Sequence, residues 1–333
     1  MGAKCFILES NDPWLNLSTE DWIFKNMDLS DDILLLWRNE KSVIIGRNQN
    51  PWAECNIKKL EENKVNLVRR QSGGGAVFQD LGNSIFSFIS PRKNYDRKRN
   101  FQIIINALKK FNITAEQAGR NDILVNGKKV SGSAFKENPD RAFHHGTLLI
   151  NVNLSEMSDY LTPSQKKLLS KGTQSVRSRV ANLTEFNSSI SHDLLMEAII
   201  DEFFKESNSE KKIETLTPEF LMDIPELKSY YGFMKSHDWR FGETPQFQHH
   251  LTERFDWATI DLHLNSDAGK INKAKVFSDC LDTQLIEEIE KAIHNVNYHS
   301  EYIAKSLEPI KEKLPHTSVQ ITDVQAWLRK ELA

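Results

Sequence analysis

The chain is expected to fold as an α+β protein with two unequal domains. Three observations predict this. Strand-like and helix-like segments are mixed without a regular β–α–β rhythm. The tightest turn signal, Asn126-Gly127, joins two short strands into an antiparallel hairpin. A turn cluster, Gly242-Glu-Thr-Pro-Gln246, sets apart a final stretch of ~80 residues, a normal domain size. The expected division is a large domain over 1–242, a linker over 243–247 and a small domain over 248–333.

The elements follow in order. Ser18-Thr-Glu-Asp21 has the composition of a helix N-cap, with Leu17, Trp22, Ile23 and Met27 at helical spacing. Ile33–Trp37 and Val43–Ile45 are apolar strand candidates around the polar turn 38–42. A charged helix near Ile57–Asn63 leads to the strand Asn66–Arg70. Ser72-Gly-Gly-Gly75 is bounded by the strand-like Ala76–Phe78 and Ser84–Ile89, and Phe101–Phe111 is amphipathic. Ile123–Val125 and Lys128–Val130 flank Asn126-Gly127, whose residues tolerate the positive φ angles of a type I′ turn. Asp193–Phe204 is helical. In the small domain, strands Trp257–Leu264 and Lys273–Phe277 precede several helices.

Composition narrows the function classes. Apolar residues make up 39% of the 333, charged residues 27%, and the net charge is −3. A sizeable core is possible, and no basic field recruits nucleic acid or an anionic membrane. The longest apolar run, Ile33–Trp37, is five residues, far below the ~18 of a membrane span. No secretory signal or myristoylation pattern is expected from MGAKCFILESND. Cys5, Cys55 and Cys280 are odd in number and lack a CxxC spacing, which points to a reduced, cytoplasmic protein.

The most informative segment is Arg69-Arg-Gln-Ser-Gly-Gly-Gly-Ala-Val-Phe78. Successive N–H groups without Cβ atoms can form a concave anion site, and arginines add bidentate donors. It is neither a P-loop nor a dinucleotide fingerprint. A flexible surface turn would have the same composition, and on the residues alone both readings stand. In the hairpin, the two-residue turn pairs Val125 with Lys128, Leu124 with Lys129 and Asp122 with Ser131. Alternation then places Asp122, Leu124, Lys129 and Ser131 on one face and Lys128 on the other. A carboxylate able to hold Mg²⁺ and a lysine able to meet phosphate oxygens thus share a face, as they also would in an ordinary ion pair. His144 and His145, adjacent on a strand, point to opposite faces and cannot serve one metal together. The stretch from Leu161 to Thr184 has no acidic residue, and Lys171–Ser178 reads either as a solubilising turn or as a basic lid.

Taken together, Arg69-Arg70, Ser72–Phe78, Asp80–Asn83, Gly119–Asp122, Lys129–Ala134, His144–Leu149 and Ser175–Arg179 resemble the motifs of the lipoate–protein ligase A family, in the same order. The resemblance implies a biotin–lipoyl ligase-like α+β catalytic domain with a small accessory C-terminal domain that moves. It implies activation of lipoate with ATP and Mg²⁺ to lipoyl-AMP. The lipoyl group then passes to a lysine on the carrier domain of a 2-oxoacid dehydrogenase or the glycine cleavage H protein. By the same resemblance Lys129 is the central lysine, Gly73, Gly74, Gly75, Ala76, Val77 and Phe78 line the groove, and Ser72 and Asn83 join them in binding substrate or ATP. Arg70 holds the carboxylate or phosphate, and Asn121 and Asp122 touch the adenylate and Mg²⁺. Ser131, His145 and Gly146 belong to the binding site, and Lys171 and Arg177 to an adenylate-covering loop. A monomer is expected. Gln79 stands where many members carry histidine, and its amide can hydrogen-bond but not titrate. The small domain has no ligand motif and is expected to add no catalytic residue.

Two alternatives remain within the fold and one outside the enzyme class. An acyl transferase of this fold would, by the same resemblance, use a cysteine nucleophile, but no cysteine lies in these motifs. An amidotransferase would accept only preformed lipoyl-adenylate. A non-catalytic lipoate-binding protein would have no need of Lys129 and Asp122 together.

Overall fold

The computed structural model describes residues 2–26, 28, 30–49, 51–161, 180–241, 249–267 and 270–332, without the side chains of residues 52, 53, 58 and 267. The linker expected over 243–247 and the basic segment with Lys171 and Arg177 lie outside the described residues.

The strands are β1 (Gly2–Leu8), β2 (Asp31–Trp37), β3 (Ser42–Ile45), β4 (Asn66–Arg69), β5 (Val77–Gln79), β6 (Asn83–Pro91) and β7 (Glu116–Ala118). They continue as β8 (Asp122–Val125), β9 (Lys128–Glu137), β10 (Arg141–Leu149), β11 (Ile213–Leu216), β12 (His249–Arg254), β13 (Thr259–Asp267) and β14 (Lys270–Ser278). The main sheet has the order β11-β1-β2-β6-β10-β9-β8-β7. It is parallel from β11 to β2, and each later pair is antiparallel.

Both faces of this sheet are covered, which is why β2 reads as a continuous apolar run rather than an alternating one. Leu34 and Leu36 pack with Phe86, Phe88, Phe101 and Phe203 beneath the helices Arg97–Lys109 and His192–Ser207. Ile33, Leu35 and Trp37 pack on the other side with Phe24, Ile44 and Val68. On that side lies a second sheet, β4-β3-β5. The expected turn at 38–42 therefore does not fold β3 back onto β2. It carries the chain to the small sheet, where β3 pairs with β4 in parallel and with β5 antiparallel.

The first helix also begins earlier than its composition suggested, at Pro13. Asp12 Oδ1 accepts from the N–H groups of Trp14 and Leu15 at 2.8 and 3.2 Å, with proline in the first helical position. Glu20 and Asp21, which resembled capping residues, are instead buried inside that helix.

The small domain is a β12-β13-β14 meander with helices including Thr283–Ile293 and Ser318–Glu331 packed on one face. Its core is built from residues such as Ile260, Leu262, Val276, Ile289 and Trp327. No helix among the described residues is long and apolar enough to cross a membrane.

Candidate active site

A groove opens between the main sheet and β3–β5. Leu17, Trp37, Ile44, Ala76, Val77 and Ile85 give it apolar walls, and Lys129, Asn121 and His145 bring polar groups to it. Gly74, Gly75 and Gly146, expected at the site, line it as well. Its interior is about 160 Å³.

The hairpin delivers Lys129. Asn126 and Gly127 take φ angles of 51° and 74°, so the turn is the one their chemistry favours. Val125 faces Lys128 and Leu124 faces Lys129 as expected, but a β-bulge then shifts the ladder. Asp122 pairs with Gly132, and Ser131 pairs with Ile123. The inserted residue turns Ser131 to the opposite face, where it is fully buried, so Ser131 does not line the groove. Lys129 Nζ lies 2.7 Å from Asp122 Oδ1, and a Cβ at Gly132 would come within 2.9 Å of that same Nζ. A glycine at position 132 thus gives the lysine chain room to lie across β9.

The glycine loop is braced by Arg70, which also lines the groove. Arg70 Nη2 donates to the carbonyls of Gly73 and Gly75 at 2.6 and 2.9 Å, Nη1 donates to Ile44 O at 3.2 Å, and Nε donates to Ser72 Oγ at 3.0 Å. The arginine expected to hold a carboxylate or phosphate thus also shapes the loop bordering the groove. Burial lowers its pKa to about 10, and nearby Glu20 opposes that shift. Arg69 is likewise bound to the carbonyls of Gln49, Arg47, Gly46, Trp239 and Arg240.

His144 and His145 divide as alternation requires. His144 is fully buried, with ring contacts to Phe86, Phe88, Phe101 and Phe135. Burial, with His145 and Arg97 adding to it, holds its pKa well below the usual imidazole range. His145 faces the groove. Its Nδ1 lies 2.9 and 3.0 Å from the two carboxylate oxygens of Glu20, and its Nε2 lies 2.8 Å from Ser72 Oγ. Ser72 Oγ thus bridges Arg70 and His145, and His145 links that pair to Glu20. Glu20 was missed because its sequence context read as a cap.

Two further expectations change. Phe78 alternates away from the groove, stacked on Tyr160 with ring centroids 5.6 Å apart, while its neighbours Val77 and Gln79 face inward. Asn83 is buried at the start of β6 opposite Leu149 and does not line the groove. Gln79 accepts from Asn39 Nδ2 at 2.7 Å, and Asn39 in turn accepts from Asn16 at 2.9 Å. This amide chain orients a group that cannot titrate. Asn121 donates to Ser133 O at 3.1 Å and so ties the strand of Lys129 to the loop before β8.

The small domain packs against the glycine loop. Gly74 N–H donates to Cys280 O at 3.1 Å, and a Cβ at Gly73 would fall 2.1 Å from that carbonyl. Burial pushes the Cys280 thiol up to about 12, and those of Cys5 and Cys55 to about 12 also. None is a ready thiolate.

Residues 12–204 match the family described as the lipoyl protein ligase A/B catalytic domain. The chain belongs to the lipoate–protein ligase A family. Residues 244–328 match the bacterial lipoate protein ligase C-terminus. The lipoate–protein ligase A of Psychrobacter cryohalolentis is 48% identical over 99% of each chain. That of Bdellovibrio bacteriovorus is 44% identical over 99% of this chain and 98% of its own. The P. falciparum LipL1 structure in complex with lipoate is similar at 35% identity and a TM-score of 0.87, covering 99% of this chain and 100% of that one.

Proposed function

We propose that the chain is a lipoate–protein ligase that makes lipoyl-adenylate from lipoate and ATP and then transfers the lipoyl group to a lysine of a carrier domain. The observation that carries this is one ammonium, Lys129, beside an apolar groove whose other wall is a glycine loop. The apolar walls suit a hydrocarbon chain ending in a dithiolane. The Lys129 end suits its carboxylate.

In the first half-reaction a carboxylate oxygen attacks the α-phosphorus, and the bond to the β-phosphate oxygen breaks, releasing pyrophosphate. Two anions must approach, so the chemistry calls for charge compensation and positioning more than for acid–base groups. Lys129 supplies the charge where carboxylate and α-phosphate meet. Asp122 orients Lys129 through the 2.7 Å pair. Mg²⁺ suits a single carboxylate together with substrate phosphates. Asp122, a third exposed at its side chain, has that donor type, and the ion would neutralise phosphate charge. In the second half-reaction the acceptor amine attacks the acyl carbon, the nitrogen sheds a proton and AMP leaves. This step needs no enzyme nucleophile, in keeping with three buried thiols. The proposed acceptors are carrier domains of 2-oxoacid dehydrogenases and the glycine cleavage H protein, with the enzyme acting as a monomer in the cytoplasm.

The test is lipoate-dependent exchange of labelled pyrophosphate into ATP, followed by the mass increase of a carrier domain. Exchange with lipoylation is expected. Lipoylation only from preformed lipoyl-adenylate would make the protein an amidotransferase, and transfer only from an acyl carrier protein would make it a transferase.

A further inference from the structure

Away from the groove, the small domain gathers a second set of functional side chains. In the β12–β13 ladder His250 stands directly opposite His263, and Thr252 opposite Asp261. Their neighbours Leu262 and Leu264 are in the small-domain core, so His250, Asp261 and His263 occupy the outer face of the sheet. The two imidazole rings stack with centroids 4.3 Å apart. Both Nε2 atoms converge on one carboxylate oxygen: His263 Nε2 is 3.2 Å from Asp261 Oδ1, and His250 Nε2 contacts the same atom. Thr252 Oγ1 donates to that oxygen at 3.1 Å.

We propose that His250, Asp261 and His263 form a binding site for a divalent transition ion of the zinc type. The chemistry is that of two imidazoles and a carboxylate, the donor set such ions favour over Mg²⁺ or Ca²⁺. One ligand atom from each residue lies within 4.8 Å of the others. With metal–ligand bonds of about 2.0–2.1 Å, tetrahedral ligand atoms stand about 3.3 Å apart. The separation of 3.2 Å between His263 and Asp261 already matches this. The two histidines sit on paired strands in direct register, so little backbone movement is needed to close around an ion. Thr252 orients the carboxylate as an outer partner. Lys275, opposite His263, is paired with Glu290 at 3.2 Å. Three protein ligands leave a fourth position for water or an incoming group.

Sequence spacing hides this site, because His250 and His263 come together only through the strand register. The same sheet face carries Lys275 and Phe277, which line the cleft between the domains with Arg47, Trp239 and Phe241. An ion here would therefore stiffen β12 and β13 beside that cleft, apart from the adenylation groove.

The test uses full-length, tag-free protein stripped with a chelator. Zn²⁺ is titrated by calorimetry, and Co²⁺ by its visible d–d absorption. One ion per chain is expected, with Co²⁺ bands of low-coordinate intensity displaced by Zn²⁺. His250 is more than half exposed at its side chain, so His250→Ala should fold normally. It should weaken binding more than about tenfold, since loss of even an outer partner has an effect of that order. Asp261→Asn should do the same, and melting curves check that both variants are folded. Absence of saturable one-to-one binding, or unchanged affinity in folded His250→Ala, overturns the proposal.

Discussion

Replacing Lys129 by alanine separates structure from chemistry at one position. The structural loss is small. The Lys129–Asp122 pair is a third exposed on each side, and exposed pairs contribute about 0.2–1 kcal/mol. A fall in Tm of no more than about 4 °C is expected. Alanine keeps the main-chain carbonyl that accepts from Ala181 N–H at 3.0 Å. The chemical loss is much larger. Removing one preorganised donor from developing charge lowers rates by about 10²–10³, or about 2.7–4 kcal/mol of barrier. Lys128→Ala is the matched control. Lys128 pairs with Glu185 at 3.3 Å, with comparable exposure, but on the far side of the hairpin. Both variants should melt alike, while pyrophosphate exchange collapses only in Lys129→Ala. Equal loss of exchange in the two, or near-normal exchange without Lys129, would refute the register and the role together.

Cys280→Ser should retain both half-reactions, and the native protein should react with thiol reagents only on unfolding, because burial raises all three thiols to about 12. A covalent lipoyl thioester trapped on Cys280 would contradict this. Gly73→Ala should impair adenylation more than transfer from preformed lipoyl-adenylate, since a Cβ there meets Cys280 O at 2.1 Å and unseats the small domain. The opposite order of losses would make the small domain a docking platform. His144 is held neutral by burial in the folded protein, whereas the unfolded chain takes up a proton near pH 6.5. Its contribution is therefore complete above that pH and is lost as pH falls, by about 1.4 kcal/mol per unit. His144→Leu should shrink the drop in Tm between pH 7 and 5, and an unchanged drop would show that His144 is not the sensitive group.

Local chemistry was legible in the sequence wherever a residue acts through its own backbone or its neighbours in the chain. Asn126-Gly127 set its turn by tolerance of positive φ, the run at Ile33–Trp37 marked a strand, and adjacent His144 and His145 had to face apart. What decided the site was long-range. A bulge after Lys129 turned Ser131 inward, a reversal that no local spacing encodes, since one inserted residue flips the faces beyond it. Arg70 had the residue type of an anion clamp, but its bracing of the loop carbonyls could be seen only in the fold. Glu20 resembled a cap because its partner His145 lies 125 residues away. Cys280 had no motif, yet its carbonyl meets Gly74 across the domain boundary. Residue type thus determined which groups could do the chemistry. Only tertiary structure, by desolvating some donors and leaving others accessible, decided which of them face the groove.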